Sequence, residues 1–573
     1  MTPLPGHLPA GAIAPEAPAW LLPTSFGDFV YRRYRGLWSN SATVAGVSVN
    51  PFRGTPVEDS MSEGKAEPTA MSETVTGTKW QLARGAIRAL RPVTAALQRL
   101  ERATRPVPPE LERALAQRWS ELPDHVKTPA QALGKRMSGC EGTHGVFPRC
   151  NLACTPCYHS RDANRVRIDA AHTLAEVDAQ MQLLHEQRGP GQHAQLIGGE
   201  VTLLAPEDHA ATLLAMRRHT RKPMSMSHGD FDYDYLRALA LDEDGRPRFE
   251  HLSFAGHFDS LMLGRRDVPR PRTEAELNPA RQRFCEMFAR LEREHGISHY
   301  LAHNMTVTPR NLSEVAQVIR DCRDYGFRMF SFQPAAFVGN PARWKEEYRA
   351  FTDDEVWAQV EAGAGCPLPT GAFQVGDPRC NRTVHGVFVD KRYVPLLDPD
   401  DARDLRVRDA YYDVFGGMDF DIARPLLLAR LVRALAPHPA APGLAAGWTR
   451  RFIARAGGLR ALRRGPVRAV TFVMHSFMDA SVVAPAWELT QSGRVADDPA
   501  VRAAQERLAA CSYAMAHPET GEIVPACVQH SVLDPQENAR LATLLPFARQ
   551  SRATSMETPT AVAHTADHAG GSQ

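Results

Sequence analysis

The feature that most constrains the fold is a regular alternation of short apolar segments and helical patterns between residues 140 and 345. The predicted strands are 145–148, 193–197, 223–226, 251–255, 302–307 and 328–332. The predicted helices are 173–187, 208–218, 233–239, 274–294 and 312–325. Repeated strand–helix units predict parallel strands with helices outside. Six units are fewer than a closed eightfold barrel needs, so we expect an α/β fold with a partial (βα)6 TIM-like barrel.

The rest of the chain divides by composition. Residues 1–78 are rich in Pro, Gly, Ser and Thr and are expected to be a disordered leader, in which Met61 or Met71 is an alternative start. Residues 79–139 are expected to form a helical N-terminal segment. Residues 346–548 change to an α+β pattern and are expected to form a C-terminal domain for an auxiliary cluster or substrate. The tail at 549–573 is expected to be disordered.

The composition excludes several classes of protein. Lys and Arg total 67 against 65 for Asp and Glu, which leaves a net charge of +2, too small for a protein dominated by binding to nucleic-acid phosphates. No apolar run reaches the ~18 residues of a membrane-spanning helix, and the N-terminus lacks the pattern of a secretory signal. Ten cysteines in 573 residues are too dilute for a disulfide framework. We therefore expect a cytoplasmic protein with reduced thiols.

Three of the cysteines fall within eight residues. Cys150, Cys154 and Cys157 follow the first predicted strand and precede Tyr158. Three thiolates on one loop can hold three irons of a [4Fe–4S] cluster and leave the fourth iron open to a small molecule. The alternative is a structural zinc site with His159 as the fourth ligand.

A second motif follows the second predicted strand. Gly198 and Gly199 would let a ligand approach the backbone, and the carboxylate of Glu200 can hold an ammonium group. Taken alone, Gly-Gly-Glu is a turn before a helix. Its place one strand after the cysteine loop favours a functional role.

Together, the cysteine loop, the Gly-Gly-Glu segment and the six strand–helix units resemble the radical S-adenosylmethionine (SAM) superfamily over residues 140–345. The resemblance implies that the three cysteines bind a [4Fe–4S] cluster whose open iron is chelated by SAM. It also implies that residues 198–200 meet the SAM amine and that the Tyr158 backbone lies near adenine. One-electron reduction would then cleave SAM to methionine and a 5′-deoxyadenosyl radical. The chain departs from the family in having Val201 where Pro is usual.

Polar residues follow the later predicted strands, and such positions line the pocket in this architecture. Gln333 ends the sixth strand and is expected to contact SAM or substrate. The same expectation, or alternatively a role as cap or turn residue, applies to His228, Asp230, His257, Asp259, Thr308 and Pro334. Asn311 is predicted to be the N-cap of the helix at 312–325.

Four further cysteines lie in loop-like segments: Cys366, Cys380, Cys511 and Cys527. They are expected to hold an auxiliary cluster or zinc, and the alternative is independent buried thiols. Cys285 and Cys322 are expected to be core residues, and Cys140 has no assigned role. The order of the Gly-Asp-Pro-Arg-Cys380 loop, the segment 474–479 and the hairpin 511–527 resembles the C-terminal part of tetraether-synthase-like radical SAM enzymes. That resemblance implies coupling of unactivated lipid carbons.

Ten arginines and no acidic residue occur between Arg424 and Arg468. A basic amphipathic segment can lie on an anionic membrane surface. The alternatives are contact with nucleic-acid phosphates, although few aromatic residues are interspersed, and a solvated helix face. We therefore expect a cytoplasmic radical SAM enzyme, peripheral at the membrane, that acts on a lipid-like substrate with a flavodoxin or ferredoxin as reductant. The alternatives are radical modification of a peptide or nucleic acid, or a non-catalytic iron–sulfur or zinc protein. Nucleic-acid binding is not expected.

Overall fold

The computed structural model describes residues 94–338 and 350–547, apart from Pro156, Tyr158 and Ser160. The predicted leader at 1–78, the tail at 549–573 and the proposed contact of Tyr158 lie outside the described residues. Of the predicted helical segment at 79–139, the described part contains a helix over 94–104 and another at Pro109–Glu121. In the described part of the chain, no helix is both long and apolar enough to cross a membrane.

The strands are β1 (Cys140–Gly142), β2 (Ala153–Cys154), β3 (His193–Leu196), β4 (Lys222–Ser227), β5 (His251–His257), β6 (Met262–Leu263), β7 (Ser298–Val307), β8 (Met329–Pro334), β9 (Asn381–Val389), β10 (Arg392–Pro395), β11 (Val467–His475), β12 (Tyr513–His517) and β13 (Glu522–Pro525). The α-helices are α1 (Pro109–Glu121), α2 (Ala170–Arg188), α3 (Pro206–Arg218), α4 (Tyr233–Ala240), α5 (Asn278–His295), α6 (Val315–Cys322), α7 (Asp353–Ala364), α8 (Ala402–Phe415), α9 (Arg424–Leu435), α10 (Ala441–Arg455), α11 (Leu459–Arg464), α12 (Ala480–Gln491), α13 (Pro499–Ala509), α14 (Ala526–Val528) and α15 (Asp534–Leu544).

Most strands belong to one mixed sheet with the order β10-β9-β11-β8-β7-β5-β4-β3-β1-β12-β13. The run from β11 to β12 is parallel throughout, and an antiparallel hairpin flanks it on each side. The α/β class predicted from the alternation is therefore confirmed. The parallel run is longer than the six strands expected, because β11 and β12 from the C-terminal half pair with β8 and β1.

Five of the six predicted strands are found near their expected positions, but the first is wrong. Residues 145–148 form no strand, and β1 lies earlier, at Cys140–Gly142. Val146 and Phe147 are buried without joining the ladder. Instead, this segment bonds to the end of β3 through backbone groups, which the apolar pattern alone could not distinguish from strand pairing.

The main core lies between the sheet and the helices that follow its strands. It contains the buried rings of Phe254, Phe284, Phe288 and Phe330, and Phe472 of β11 joins the same cluster. Ring centroids of Phe330 and Phe472 are 5.9 Å apart. The C-terminal half therefore shares a core with the strand–helix units as well as a sheet.

Asn311 occupies the predicted N-cap position, ahead of the one-turn helix Leu312–Glu314, but its side chain makes no cap hydrogen bond. It accepts from the Thr308 backbone N–H at 2.8 Å and donates to Glu274 at 3.0 Å and to the Thr306 carbonyl at 3.0 Å. The residue is fully buried, so it serves as a cross-link between loops at the ends of the strands.

Candidate active site

The cysteine loop lies beyond the carboxyl end of β1. Its short strand β2 pairs with β6, so that Cys154 lies opposite Met262. The Cys150 backbone N–H donates to Asn164 Oδ1 at 3.2 Å, and the Leu152 N–H points to Cys150 Sγ at 3.4 Å. These contacts fold the loop back on itself, and the three thiols lie within electrostatic range of one another.

Cys150, Cys154 and Cys157 form no disulfide and are partly buried. Burial raises the pKa of Cys150 to about 11, and Cys157 and Glu200 add to the effect. Burial also raises the pKa of Cys154 well above its ordinary value, helped by Cys157, Asp259 and Cys150 and opposed by Arg265. Because burial, and then the neighbouring thiols, raise the pKa of both cysteines, the thiolate forms need a bound cation to compensate them.

The spacing of the thiols differs from that of a compact zinc site. A tetrahedral zinc with bonds of about 2.3 Å places its sulfurs about 3.8 Å apart. Among the described residues, the three sulfurs do not all lie within 4.8 Å of one another, with or without His159. The loop is wider than a preformed zinc site.

A buried cation adjoins the loop. Arg265 is only 2% exposed; it donates from Nη2 to the His257 carbonyl at 2.7 Å and lies 4.7 Å from the centre of the Phe258 ring. Its Nε and Nη1 are buried with no hydrogen-bond partner among the described residues. It is within electrostatic range of Cys154, Asp230 and Asp259. Sequence reasoning missed this residue, because an Arg-Arg pair after a loop carries no signal of burial.

The Gly-Gly-Glu segment is joined to the cysteine loop by backbone contacts. The Gly199 N–H donates to the Phe147 carbonyl at 2.7 Å, and the Glu200 N–H donates to the Arg149 carbonyl at 2.9 Å. A Cβ on Gly199 would lie 2.0 Å from the Arg149 carbonyl oxygen, so only glycine fits there. His159 Nε2 also lies 3.3 Å from the Gly198 carbonyl. The glycine at 199 is thus required by the approach of the protein's own backbone.

The Glu200 carboxylate is buried and held by internal donors. It accepts from the Thr202 N–H at 3.0 Å, the Thr202 hydroxyl at 2.6 Å, the Ser227 hydroxyl at 2.8 Å and the His228 N–H at 2.8 Å. Burial alone would raise the pKa of Glu200, but His228 and these hydrogen bonds outweigh it and leave the pKa lowered. Because four donors already bond the Glu200 carboxylate, few of its lone pairs remain to accept from a ligand ammonium group. The expected contact between residues 198–200 and the SAM amine therefore stays a prediction, and it depends on the backbone carbonyls of the segment.

His228 at the end of β4 connects this carboxylate to the cysteine loop. Its Nδ1 accepts the Asp230 N–H at 3.0 Å, which leaves Nε2 as the donor to Asn151 Oδ1 at 2.7 Å. Burial is the largest cause that lowers the pKa of His228. The ring is therefore neutral and positions Asn151, which neighbours Cys150.

Further strand-end residues meet at the same edge of the sheet. His257 Nε2 lies 2.8 Å from Asp259 Oδ2 and 3.2 Å from the Thr306 hydroxyl. Gln333, paired with Thr306 in the ladder, donates to the Ser331 hydroxyl at 2.6 Å. Its Oε1 is buried without a partner among the described residues, as an acceptor reserved for a ligand would be.

The second set of cysteines is only partly brought together. Cys380, Cys511 and Cys527 lie within electrostatic range of one another. Burial raises the pKa of Cys380 to about 11 and that of Cys527 to about 12. Arg507 donates to Cys380 Sγ at 3.1 Å. Cys366 lies elsewhere: its thiol donates to the Tyr393 carbonyl at 3.6 Å, and its charged neighbours are Arg392 and Glu361.

Cys140 is a further neighbour of this second set. It lies opposite Tyr513 in the β1–β12 ladder, and Cys511 is among the groups that act on it. Burial raises the pKa of Cys140 to about 12. A cavity of about 330 Å³ adjoins Cys511 and is also lined by Arg118, Arg188 and Trp487. The predicted core positions of Cys285 and Cys322 are confirmed.

Five of the ten arginines between 424 and 468 form hydrogen bonds or ion pairs with other residues of the chain. Arg451 and Arg455 bond the buried Asp404 at 2.6 and 2.7 Å, Arg430 and Arg433 bond the helix at 94–104, and Arg468 pairs with Asp324. The others are exposed: Arg424, Arg450, Arg460, Arg463 and Arg464. Leu428 and Val432 of α9 are also more than 60% exposed.

No protein-family model matches the chain, and no curated protein matches it. Among solved structures, the chain is similar to native anSMEcpe with bound AdoMet and Cp18Cys peptide, with a TM-score of 0.25 and 14% identity over 38% of this chain and 56% of that one. Native anSMEcpe with bound AdoMet gives a TM-score of 0.25 and 15% identity over 38% and 58%. The GH5_18-E153A protein from Streptomyces cattleya in complex with Manb1-4GlcNAc gives a TM-score of 0.18 and 15% identity over 57% and 93%.

The chain thus spans little more than half the length of the AdoMet-bound structures. All of these TM-scores are below 0.5, and the similarities extend to a protein solved with a different type of ligand. The functional assignment therefore rests on the geometry of the site.

Proposed function

We propose that this protein is a radical SAM enzyme. The observation that carries the proposal is the contact between the Gly-Gly-Glu segment and the cysteine loop, in which Gly199 has no room for a side chain against Arg149. Two motifs that lie apart in the chain, at 150–157 and 198–200, therefore form one site at the carboxyl ends of parallel strands, where this architecture places its chemistry.

The residues fit a [4Fe–4S] cluster and SAM. Cys150, Cys154 and Cys157 would hold the cluster, and they lie within electrostatic range of one another. Arg265 offers a buried positive charge beside these thiols, and Gln333 offers a buried acceptor without a partner. With a reduced cluster bound, SAM cleavage supplies a 5′-deoxyadenosyl radical that abstracts hydrogen from substrate.

The protein's own part is positioning and exclusion of water. Glu200 and His228 fix the ends of β3 and β4 and hold Asn151 of the cysteine loop. Asp259 and Thr306 fix His257 at the neighbouring strand end. Burial of these groups keeps the site rigid and dry, which favours a reactive intermediate over side reactions.

The test is SAM cleavage by the reconstituted full chain under anaerobic conditions with dithionite. We expect wild-type protein to form 5′-deoxyadenosine and Cys154→Ala to lose this activity, whereas Cys285→Ala, a core thiol, should retain it. Equal turnover in wild type and Cys154→Ala would contradict the assignment. A colourless, iron-free wild-type protein would instead favour the non-catalytic zinc alternative.

We also propose an auxiliary iron–sulfur cluster at Cys380, Cys511 and Cys527, with Cys140 as a neighbouring thiol. The support is their mutual electrostatic range and the absence of Cys366 from the group. Iron should exceed the ~4 per chain of one cluster and fall by about that amount in Cys511→Ala. Cys366→Ala is the matched control and should keep the wild-type iron content; a loss in the control, or none in Cys511→Ala, would refute this site.

For the substrate we propose a lipid-like molecule reached at the cytoplasmic membrane surface, with a flavodoxin or ferredoxin as electron donor. The exposed arginines of α11 and the exposed apolar residues of α9 support it. Arg463→Glu with Arg464→Glu should weaken binding to phosphatidylglycerol vesicles, whereas Arg246→Glu with Arg293→Glu, also exposed, should not. Equal binding by both variants would favour the peptide or nucleic-acid alternative.

A further inference from the structure

A group of metal-ligating side chains lies outside the cysteine loop. His144 follows β1, His517 ends the neighbouring parallel strand β12, and Glu537 is on α15. One ligand atom from each lies within 4.8 Å of the other two. His144 Nδ1 is 2.9 Å and His517 Nδ1 is 3.9 Å from the same carboxylate oxygen, Glu537 Oε1. Among the described residues, these are the three metal-ligating side chains whose ligand atoms lie this close to one another.

The hydrogen bonds of the two rings fix which nitrogen of each ring faces the carboxylate. His144 Nε2 lies 2.7 Å from the Ala516 carbonyl, which only accepts, so Nε2 carries the proton. His517 Nε2 lies 2.7 Å from Gln529 Oε1. The Gln529 amide nitrogen donates to Asp534 and Glu537 at 2.9 and 3.1 Å, which establishes that its oxygen faces His517.

Both rings therefore direct Nδ1 towards the Glu537 carboxylate, and His517 Nδ1 also lies 3.4 Å from Glu519 Oε1. Two Nδ1 atoms that face one carboxylate oxygen need a positive charge between them, which is either a proton on a ring or a bound metal ion. A ring N–H donated to a carbonyl or amide while the other nitrogen faces inward is the usual arrangement of histidines that bind metals.

The site is also rigid and shielded. His144 and His517 are 8% and 5% exposed, and their rings stack with centroids 4.0 Å apart. Gln180 of α2 holds the His144 backbone in both directions, accepting from its N–H at 3.2 Å and donating to its carbonyl at 2.9 Å. Ligands that are fixed before binding lose little conformational entropy when a metal enters.

We propose that His144, His517 and Glu537 bind one divalent transition-metal ion through two imidazole nitrogens and a carboxylate oxygen. This ligand set suits zinc, iron or another imidazole-preferring metal, and three protein ligands leave a position for solvent or a small ligand. The ion would tie the segment that leads into the cysteine loop to α15. The site is separate from the proposed SAM cluster, so either proposal can fail without the other.

The test is a metal titration of the full chain after chelator treatment, with Co²⁺ as an optical probe and Zn²⁺ in calorimetry. Because cysteines also bind these ions, the titration is made on a variant in which Cys150, Cys154, Cys157, Cys380, Cys511 and Cys527 are Ala, and on wild type. In wild type and in the cysteine-to-alanine variant, we expect one Co²⁺ site whose spectrum lacks the charge-transfer absorption of a thiolate ligand. His517→Gln and Glu537→Gln in either background should each weaken binding at this site at least tenfold, in line with loss of a ligand.

The matched control is His219→Gln, since His219 also lies 3.0 Å from a carboxylate, that of Asp178, but belongs to no converging group of three such ligands among the described residues. It should bind cobalt like its parent. Zinc should also raise the melting temperature of wild type but not of His517→Gln. If wild type shows no thiolate-free site, or if His219→Gln loses binding equally, the position holds only a proton on His144 and the proposal is wrong.

Discussion

At the residue scale, the buried charge of Arg265 is only partly compensated within the described part of the chain. Asp230 and Asp259 lie within electrostatic range of it, but two of its nitrogens lack acceptors among the described residues, and burying such a cation is costly unless something compensates it. The partly exposed Arg266 is its sequence neighbour and pairs with Asp230 and Asp232. Comparing variants of these two arginines therefore tests the effect of a buried positive charge beside the cysteine loop.

Arg265→Gln should lower the reduction potential of the reconstituted protein, because a nearby positive charge favours addition of an electron. An interaction on the order of 1–2 kcal/mol corresponds to roughly 40–90 mV for a one-electron couple. Redox titration followed by electron paramagnetic resonance measures the shift. Arg266→Gln should move the potential much less, and an equal or opposite shift in the two variants would contradict the role of Arg265.

A second prediction at this scale concerns pH. His209 is fully buried between Tyr235 and Ser225, at 2.9 Å from each hydroxyl, and burial lowers its pKa to about 4. Below the ordinary pKa of 6.5 the unfolded chain binds a proton that the folded chain does not, so stability falls as the pH drops from 6.5 towards 4. The loss from this residue is about 3 kcal/mol.

Urea unfolding at pH 7 and pH 5 tests this expectation. His209→Gln should lower the free energy of unfolding at pH 7, since the packing around the ring is disturbed, but should reduce its pH dependence. An unchanged slope in the variant would show that other buried histidines, such as His475, carry the effect.

At the scale of elements, the contact between the end of β3 and the segment before the cysteine loop holds the site together. Gly199→Ala should destabilise the protein by about 2–3 kcal/mol, since the Cβ overlaps the Arg149 carbonyl and the backbone must move. The variant should also retain less iron after reconstitution, because the cysteine loop follows Arg149 directly.

Gly443→Ala is the control for that experiment. Gly443 lies in α10 with nothing within 4 Å of an added Cβ, so alanine should be neutral or slightly stabilising there. Iron content after reconstitution and denaturant unfolding are measured for both variants. A Gly199→Ala variant with the iron content and stability of wild type would show that the contact does not position the cysteine loop.

The elements also show what the sequence predicts well and where it fails. Strands β3, β4, β5, β7 and β8 were predictable because each is a short apolar run bounded by helical patterns. The false strand at 145–148 has the same composition, but its Phe147 carbonyl accepts from the Gly199 N–H instead of from a neighbouring strand. Asn311 has the position of a cap, yet its side chain is used in contacts to Glu274, which a local pattern cannot reveal.

At the scale of the whole molecule, the least predictable features join residues distant in sequence. Strand β12 pairs with β1 across more than 370 positions, and only that pairing brings His517 to His144 and Cys511 near Cys140. The predicted boundary between a core at 140–345 and a domain at 346–548 stays a prediction, although both parts contribute to one sheet. The three-cysteine loop and Gly-Gly-Glu could be found because their chemistry is concentrated in short motifs.

The most direct test of the central proposal is the product stoichiometry of SAM cleavage. Full-length protein reconstituted anaerobically with iron and sulfide is mixed with SAM and dithionite, and 5′-deoxyadenosine and methionine are quantified by mass spectrometry. The radical SAM assignment predicts both products in equal amounts, dependent on reductant and lost in Cys154→Ala. Intact SAM after incubation with protein that has a full iron content would contradict it.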